Sequence, residues 1–184
     1  MRTGPILIGL GFVLGAQGCG EGGWYPFAST LTATWTSKTR VGGSVTLPVR
    51  ADWCPSQGPL KIVAVHGDTG AGLVIYPHDS LRSGDFPVFD GTDSLHPPPD
   101  SGVTVALRWF TETEVLGYQG DSGSASISVA GGRVSGTFKA RMRSMARGDT
   151  IQAEGRFTTV RPKALPGGSC PFELKRVRGD SGVT

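Results

Sequence analysis

Apolar residues recur at every second position along much of this chain. Leu31, Ala33 and Trp35 alternate with Thr30, Thr32, Thr34 and Thr36, and Val45, Leu47 and Val49 form a second such set after a turn at Gly42-Gly43. A period of two puts alternate side chains on opposite faces of a strand. Clean apolar/polar alternation therefore predicts a sheet with one wet face. Leu60 to Val65, with Lys61 as its one charge, is apolar enough to predict a strand buried on both faces, and Leu73 to Tyr76 predicts a short fourth strand. Alternation resumes with Val103, Val105, Leu107 and Trp109.

The longest regular pattern runs from Ser124 to Val160. Ala125, Ile127 and Val129 alternate up to Ala130-Gly131-Gly132, a turn-forming sequence. Val134, Gly136, Phe138, Ala140 and Met142 then share a face, opposite Ser135, Thr137, Lys139, Arg141 and Arg143. After a turn around Arg147-Gly148-Asp149, the set Ile151, Ala153, Gly155 and Phe157 opposes Gln152, Glu154, Arg156 and Thr158. This predicts a three-stranded antiparallel meander with one apolar and one charged side. Gly136-Thr137-Phe138 and Gly155-Arg156-Phe157 share a spacing that lets an aromatic ring pack over a glycine on the neighbouring strand.

Between these runs, Pro77 to Gly102 carries five prolines and five aspartates without helix or strand period, and reads as a long excursion. Such excursions are usually functional or disordered. Beyond the meander, Phe172 and Leu174 after Cys170 suggest a last strand. The chain's 184 residues include 29 Gly and 13 Pro, only 18% are charged, and no long Leu/Glu/Lys/Ala stretch predicts a helix. The expected fold is all-β: a single antiparallel β-sandwich or barrel of about eight to ten strands. It would occupy residues 30–178, with a polar tail at 179–184.

The first eighteen residues have a different character. One positive charge at Arg2, an apolar run from Ile6 to Ala16 and small residues at Gly18 form the layout of a secretory signal. The run is shorter than the roughly 20 residues that a spanning helix needs. Ala16-Gln17-Gly18-Cys19 resembles the lipobox of bacterial lipoproteins, with Gly18 fitting the position before the cysteine. Ala16 and Gln17 stand where that family usually has leucine and a smaller residue. The resemblance covers about the first twenty residues. It implies that residues 1–18 are removed and that Cys19 receives diacylglycerol and an acyl chain such as palmitate, so that 19–29 serve as a lipidated tether. Trp24, Tyr25 and Phe27 in that tether suit the headgroup level, or else begin the fold. Each buried methylene contributes about 0.8 kcal/mol to such anchoring. The resemblance further implies export to the cell envelope. Gly20, in place of the aspartate that retains some lipoproteins in the inner membrane, points to the outer one.

Export bears on the three cysteines, at 19, 54 and 170. With Cys19 lipidated, Cys54 and Cys170 remain as a pair in a compartment that oxidises thiols. A bridge between them closes a loop of more than a hundred residues and would stabilise the fold by up to about 4–5 kcal/mol in the chain-entropy model.

Charge changes the picture less. Net charge is +3, but from Cys19 to Gly132 there are six Lys/Arg against eleven Asp/Glu, and from Arg133 to the end eleven against four. Two halves of one domain that attract each other would explain this. So would a basic face at Lys139, Arg141 and Arg143 for lipopolysaccharide, anionic glycan or anionic lipid.

Candidate chemistry is sparse. Gly120-Asp121-Ser122-Gly123 matches the tetrapeptide around the nucleophile of chymotrypsin-like proteases, with His66 as a conceivable base. The family's following glycine and proline are absent, and the tetrapeptide recurs at 179–182 in the tail. His66-Gly67-Asp68 and Pro77-His78-Asp79, with His96 further on, offer imidazoles and carboxylates for zinc or copper but no metal-ligand spacing. Asp90-Gly91-Thr92-Asp93-Ser94 reads as a polar turn rather than a calcium loop. No cofactor fingerprint and no nucleic-acid motif is present. The function expected is that of a membrane-anchored envelope lipoprotein with a β binding or structural domain, meeting glycan, lipopolysaccharide or a protein partner. The alternatives are a lipocalin-like carrier of a small molecule, if the strands close around a cavity, and an exported hydrolytic or metal-dependent enzyme using residues 66–100.

Overall fold

Strands that are apolar on one side only must cover that side, and here they do so by curling into a ring. The computed structural model describes residues 29–38, 42–54, 58–78, 80–93 and 99–166. Cys19, Cys170, Asp79, His96, the tether aromatics and the suggested strand at Phe172 lie outside the described residues. Ten strands follow in order: β1 (Thr30–Ser37), β2 (Gly43–Trp53), β3 (Leu60–His66), β4 (Thr69–Tyr76), β5 (Gly84–Pro87), β6 (Gly102–Phe110), β7 (Val115–Ala130), β8 (Arg133–Ser144), β9 (Thr150–Val160) and β10 (Lys163–Ala164). Their order in the sheet is β1-β9-β8-β7-β6-β4-β3-β2-β10, and β1 also pairs with β2. The pairing Leu31↔Leu47 on one side and Leu31↔Phe157 on the other joins first strand to last. Eight antiparallel strands thus form a closed up-and-down barrel, which leaves none of the eight as an edge. Of the two architectures expected, the barrel is the one found.

The alternating sets are its inner wall. Leu31, Ala33, Leu60, Ile62, Leu73, Ile75, Val103, Val105, Phe138, Met142 and Phe157 are all buried in one cluster. The meander β7–β8–β9 has the predicted turns and faces, and Gly131 and Gly132 both adopt left-handed φ in a two-residue hairpin loop. The Gly-x-Phe spacing acts as anticipated. Phe138 lies opposite Gly155, and Phe157 opposite Gly136. A Cβ at Gly155 would sit 2.4 Å from Phe138 Cε1, and one at Gly136 would sit 2.9 Å from Phe157 Cε1. Each ring occupies the volume that the opposing glycine leaves.

Three expectations need correction. β3 is not buried on both faces: Leu60, Ile62 and Ala64 point inward, but Val65 is 47% exposed because no layer covers the outside of a closed barrel at that strand. The fourth strand starts four residues earlier than its apolar run, at Thr69, since its pairing with β3 and β6 extends through Gly70, Ala71 and Gly72. The excursion between β4 and β6 contains β5, whose strand character comes from its position. β6 and β7 pair only between Ala106–Phe110 and Val115–Gln119. Beyond that point they splay, and the β5 segment fills the gap. β5 pairs with β7 from Ser124 to Ile127, and Val88 bridges to Val103 on β6. Phe86 and Val88 thereby enter the core. Phe89, next in the chain, packs against Tyr76 at 5.6 Å, and burial pushes that phenol above its ordinary pKa.

A β-bulge marks the splay. Register shifts between Gly120 and Ser122, leaving Asp121 without a ladder partner, and Gly123 takes a φ of +134° where a Cβ would meet the Lys139 carbonyl at 2.1 Å.

Candidate functional site

The last residues of β1, β3, β6 and β8 and the first residues of β2, β4, β7 and β9 lie at one end of the barrel; this end is the mouth, and the opposite end is the base. Trp35 is the last large inward residue of β1 before the mouth, and Trp109 holds the same place on β6. In the ring of eight, β1 and β6 stand four strands apart, on opposite walls. Their indoles nonetheless stack, with ring centroids 4.5 Å apart and planes at 27°. Trp109 stacks in turn on Tyr118 of β7, at 5.1 Å and 7°. Three aromatic rings therefore cross the lumen just below the rim. A ring pair in such geometry contributes roughly 0.5–1.5 kcal/mol beyond the area it buries. Gly43 makes room for the arrangement, since a Cβ there would lie 2.4 Å from the Trp35 ring.

Above the stack lies a cavity of about 390 Å³, bounded by Trp35, Trp109, Tyr118, Leu116 and Ile151 with Ser37, Gly42 and Thr111 at the rim. Its floor is buried and its two tryptophans are half-buried. Tyr118 is fixed from above: its hydroxyl donates to Asp149 Oδ2 at 2.9 Å. The Arg147 guanidinium pairs with Glu114, tying the β8–β9 turn to the β6–β7 turn across the rim. The arrangement offers apolar contact and ring edges within, and hydroxyls at the entrance. It can hold a small apolar body with a polar end facing out.

The predicted basic face lies on the outer wall, and each of its three cations has an acid beside it. Arg141 donates from Nε and Nη2 to the two Asp121 oxygens, both at 2.9 Å, and Ser122 Oγ donates to the same carboxylate at 3.0 Å. The Arg141 hydrogen bond, chief among these contacts, holds the Asp121 carboxyl below its ordinary pKa of 3.8. Arg143 pairs with Asp90 at 2.8 Å and Lys139 with Glu154 at 3.6 Å. In three ion pairs of this part of the molecule, at Glu114, Asp121 and Asp90, an acid from the first half meets an arginine from the second. The uneven charge distribution thus sets acids of the first part beside cations of the second. Beside this face a depression of about 500 Å³, bounded by polar residues such as Thr34, Lys139, Arg141 and Glu154 and by Trp35, Ala140 and Ala153, is open to the outside and of mixed polarity.

The other candidates are not brought together. His66 pairs with Thr69 at the mouth end of the β3–β4 hairpin, whereas His78 follows the base end of β4. Asp68 lies in the turn beside His66. Among the described residues no group of three or more His, Cys, Asp or Glu could hold a metal. Ser122 sits exposed on the outer wall, with β6 and β4 between its strand and that of His66. Asp90 forms a local turn in which the Thr92 N–H and hydroxyl donate to its Oδ1, at 2.9 and 2.6 Å. Cys54 is buried at the end of β2. Its suggested partner Cys170 is beyond the described residues, but the chain leading there passes close by: β10 runs parallel to β2, and Leu165 N–H donates to the Trp53 carbonyl at 2.8 Å.

The aromatic mouth was not singled out from sequence. Its signal was present: both tryptophans end an inward-facing alternating set immediately before a turn. Comparison of the chain with protein-family models, with curated proteins and with solved structures finds no match.

Proposed function

We propose that this chain is an exported lipoprotein, held on the bacterial envelope by lipid on Cys19, whose barrel binds a small apolar or amphiphilic molecule at its mouth. The binding part rests on one observation, the Trp35–Trp109–Tyr118 stack beneath a cavity of about 390 Å³. Cavities of roughly 300–1,000 Å³ with mostly apolar walls and a few polar groups are the usual ligand sites of proteins. An eight-stranded barrel is also about the width that holds one small ligand. The anchor rests on the lipobox-like leader, and the bridge between Cys54 and Cys170 on the approach of Leu165 to Trp53. The readings as a metal-dependent enzyme or a serine hydrolase draw no comparable support, because their residues lie on separate strands or at opposite strand ends.

Titration with 1-anilinonaphthalene-8-sulfonate tests the site. The wild type should bind the dye saturably at one site, with energy transfer from tryptophan, and Trp109→Ala should weaken binding about tenfold or more while keeping the far-UV spectrum of the barrel. Equal binding by both proteins contradicts the proposal. Intact mass after membrane extraction tests the anchor: a chain beginning at residue 19 with acyl mass supports it, and a chain without lipid refutes it.

A further inference from the structure

The outer wall is not uniform. On β1, β8 and β9 the outward positions are Thr32, Thr34, Lys139, Arg141, Gln152 and Glu154, a composition that does not face lipid. A barrel that crossed a membrane would be apolar all round, so this one does not span. The opposite wall differs. The described residues include four exposed large apolar side chains; Val65, Phe110 and Val115 fall there, near the mouth, and Met145, in the turn after β8, adjoins the β7 edge of that wall. Register makes them one surface. Val65 pairs with Gly70, Gly70 with Arg108, and Arg108 with Gly117, whose carbonyl accepts the Met145 N–H at 3.0 Å. The next row reads Val63, Gly72, Ala106, Gln119. Phe110 and Val115 pair at the tip. The middle of the surface is floored by glycines, and nothing stands within 4 Å of where a Cβ would project from Gly117.

Monomeric proteins scatter exposed apolar residues singly, and a contiguous patch marks a contact site. The patch has one cation at its centre, Arg108, whose guanidinium lies 5.7 Å from the Phe110 ring centroid, while the exposed acids Glu112 and Asp68 stand in the turns at its mouth edge. That cation decides between occupants. In a two-fold dimer through this face, Arg108 would approach its own copy. On a bilayer with anionic headgroups it would meet phosphate, while Phe110, Val115 and Met145 enter the acyl boundary, the pairing that interfacial binding uses. The length of chain before the barrel allows this. The ten residues from Cys19 to Ser29 reach up to about 35 Å when extended, which lets an anchored domain turn either wall to the membrane. We infer that the β3–β4–β6–β7 wall is a docking surface for an anionic lipid bilayer, which lays the barrel on its side with the mouth beside the membrane. This surface shares no residue with the cavity lining, so it stands or falls apart from the ligand site.

The test uses the mature chain carrying Cys19→Ser, which removes the lipid, and sedimentation with vesicles of phosphatidylethanolamine and phosphatidylglycerol. The protein should co-sediment, and less so as salt rises or when phosphatidylcholine replaces the anionic lipid. The triple variant Phe110→Ser, Val115→Ser, Met145→Ser should lose about tenfold or more in partitioning, and Arg108→Gln should lose mainly the salt-dependent part. All four positions are exposed, and near-UV circular dichroism confirms that the variants are folded. A parent that stays in the supernatant, a triple variant that sediments like the parent, or a dimer abolished by the same substitutions each overturns the inference.

Discussion

In the half of the barrel towards the base, Phe138 and Phe157 lie over Gly155 and Gly136, and Phe86 and Val88 enter the buried core from β5 at the splay. At the mouth, rings from opposite walls also meet, but Trp35, Trp109 and Tyr118 stack into a floor with a cavity above it. Both regions use aromatic residues at inward positions. The difference is not the glycine opposite, since Trp35 also faces one, Gly43. Phe138 and Phe157 fill that space inside the buried cluster, whereas the half-buried tryptophans border a cavity of about 390 Å³. Close packing marks the first as structural, and the bordering cavity makes the second the candidate ligand site.

The largest break in that comparison should come from Gly155→Val. Its Cβ alone would overlap both the Phe138 ring at 2.4 Å and the Thr32 carbonyl at 2.8 Å, and backbone cannot step aside cheaply. Urea unfolding should show a loss of about 3 kcal/mol or more, or no folded protein. Phe157→Ala should follow at roughly 3–5 kcal/mol, the usual cost of emptying a buried aromatic site. Trp109→Ala should cost less, about 2 kcal/mol, because the ring is half-buried and leaves mainly a wider mouth. Its dye binding should nevertheless fall the most, so stability and binding separate between the two regions.

Tyr118→Phe removes one hydrogen bond to Asp149 and should cost about 1 kcal/mol. The outer face should matter least. Arg141→Ala breaks an exposed pair, for which a small shift in urea midpoint is expected. Its sign with pH is fixed. Arg141 lowers the Asp121 pKa, so the pair stabilises the fold above the ordinary aspartate value of 3.8 and loses that effect as pH falls through the depressed value. The stability gap between wild type and Arg141→Ala should therefore narrow below about pH 4 and stay constant from pH 5 to 8.

How much of this was legible in sequence follows the same division. Local alternation set the inward residues of β1, β2, β6, β7, β8 and β9, and even the glycine–phenylalanine packing, because each depends only on neighbours across one ladder. β5 was not legible: Gly84-Asp85-Phe86-Pro87 has no strand period of its own and is extended because β6 and β7 part around it. Nor was the exposure of Val65, since a run of apolar residues does not say whether a second layer covers it. The site fell between these cases. Trp35 and Trp109 were legible as inward residues, but their meeting requires closure of a ring in which their strands stand opposite one another. The basic-face residues were legible as a row, while their acids Asp121 and Asp90 came from a bulge and from the excursion.

The most direct test follows the indole N–H signals by NMR as the dye is added. Trp35 and Trp109 report the mouth, and Trp53, at the base end of β2 with its indole nitrogen buried, reports the other end. The account predicts saturable shifts at Trp35 and Trp109 with a common affinity and none at Trp53. Shifts of equal size at Trp53, or no saturable shift at the mouth, would contradict it.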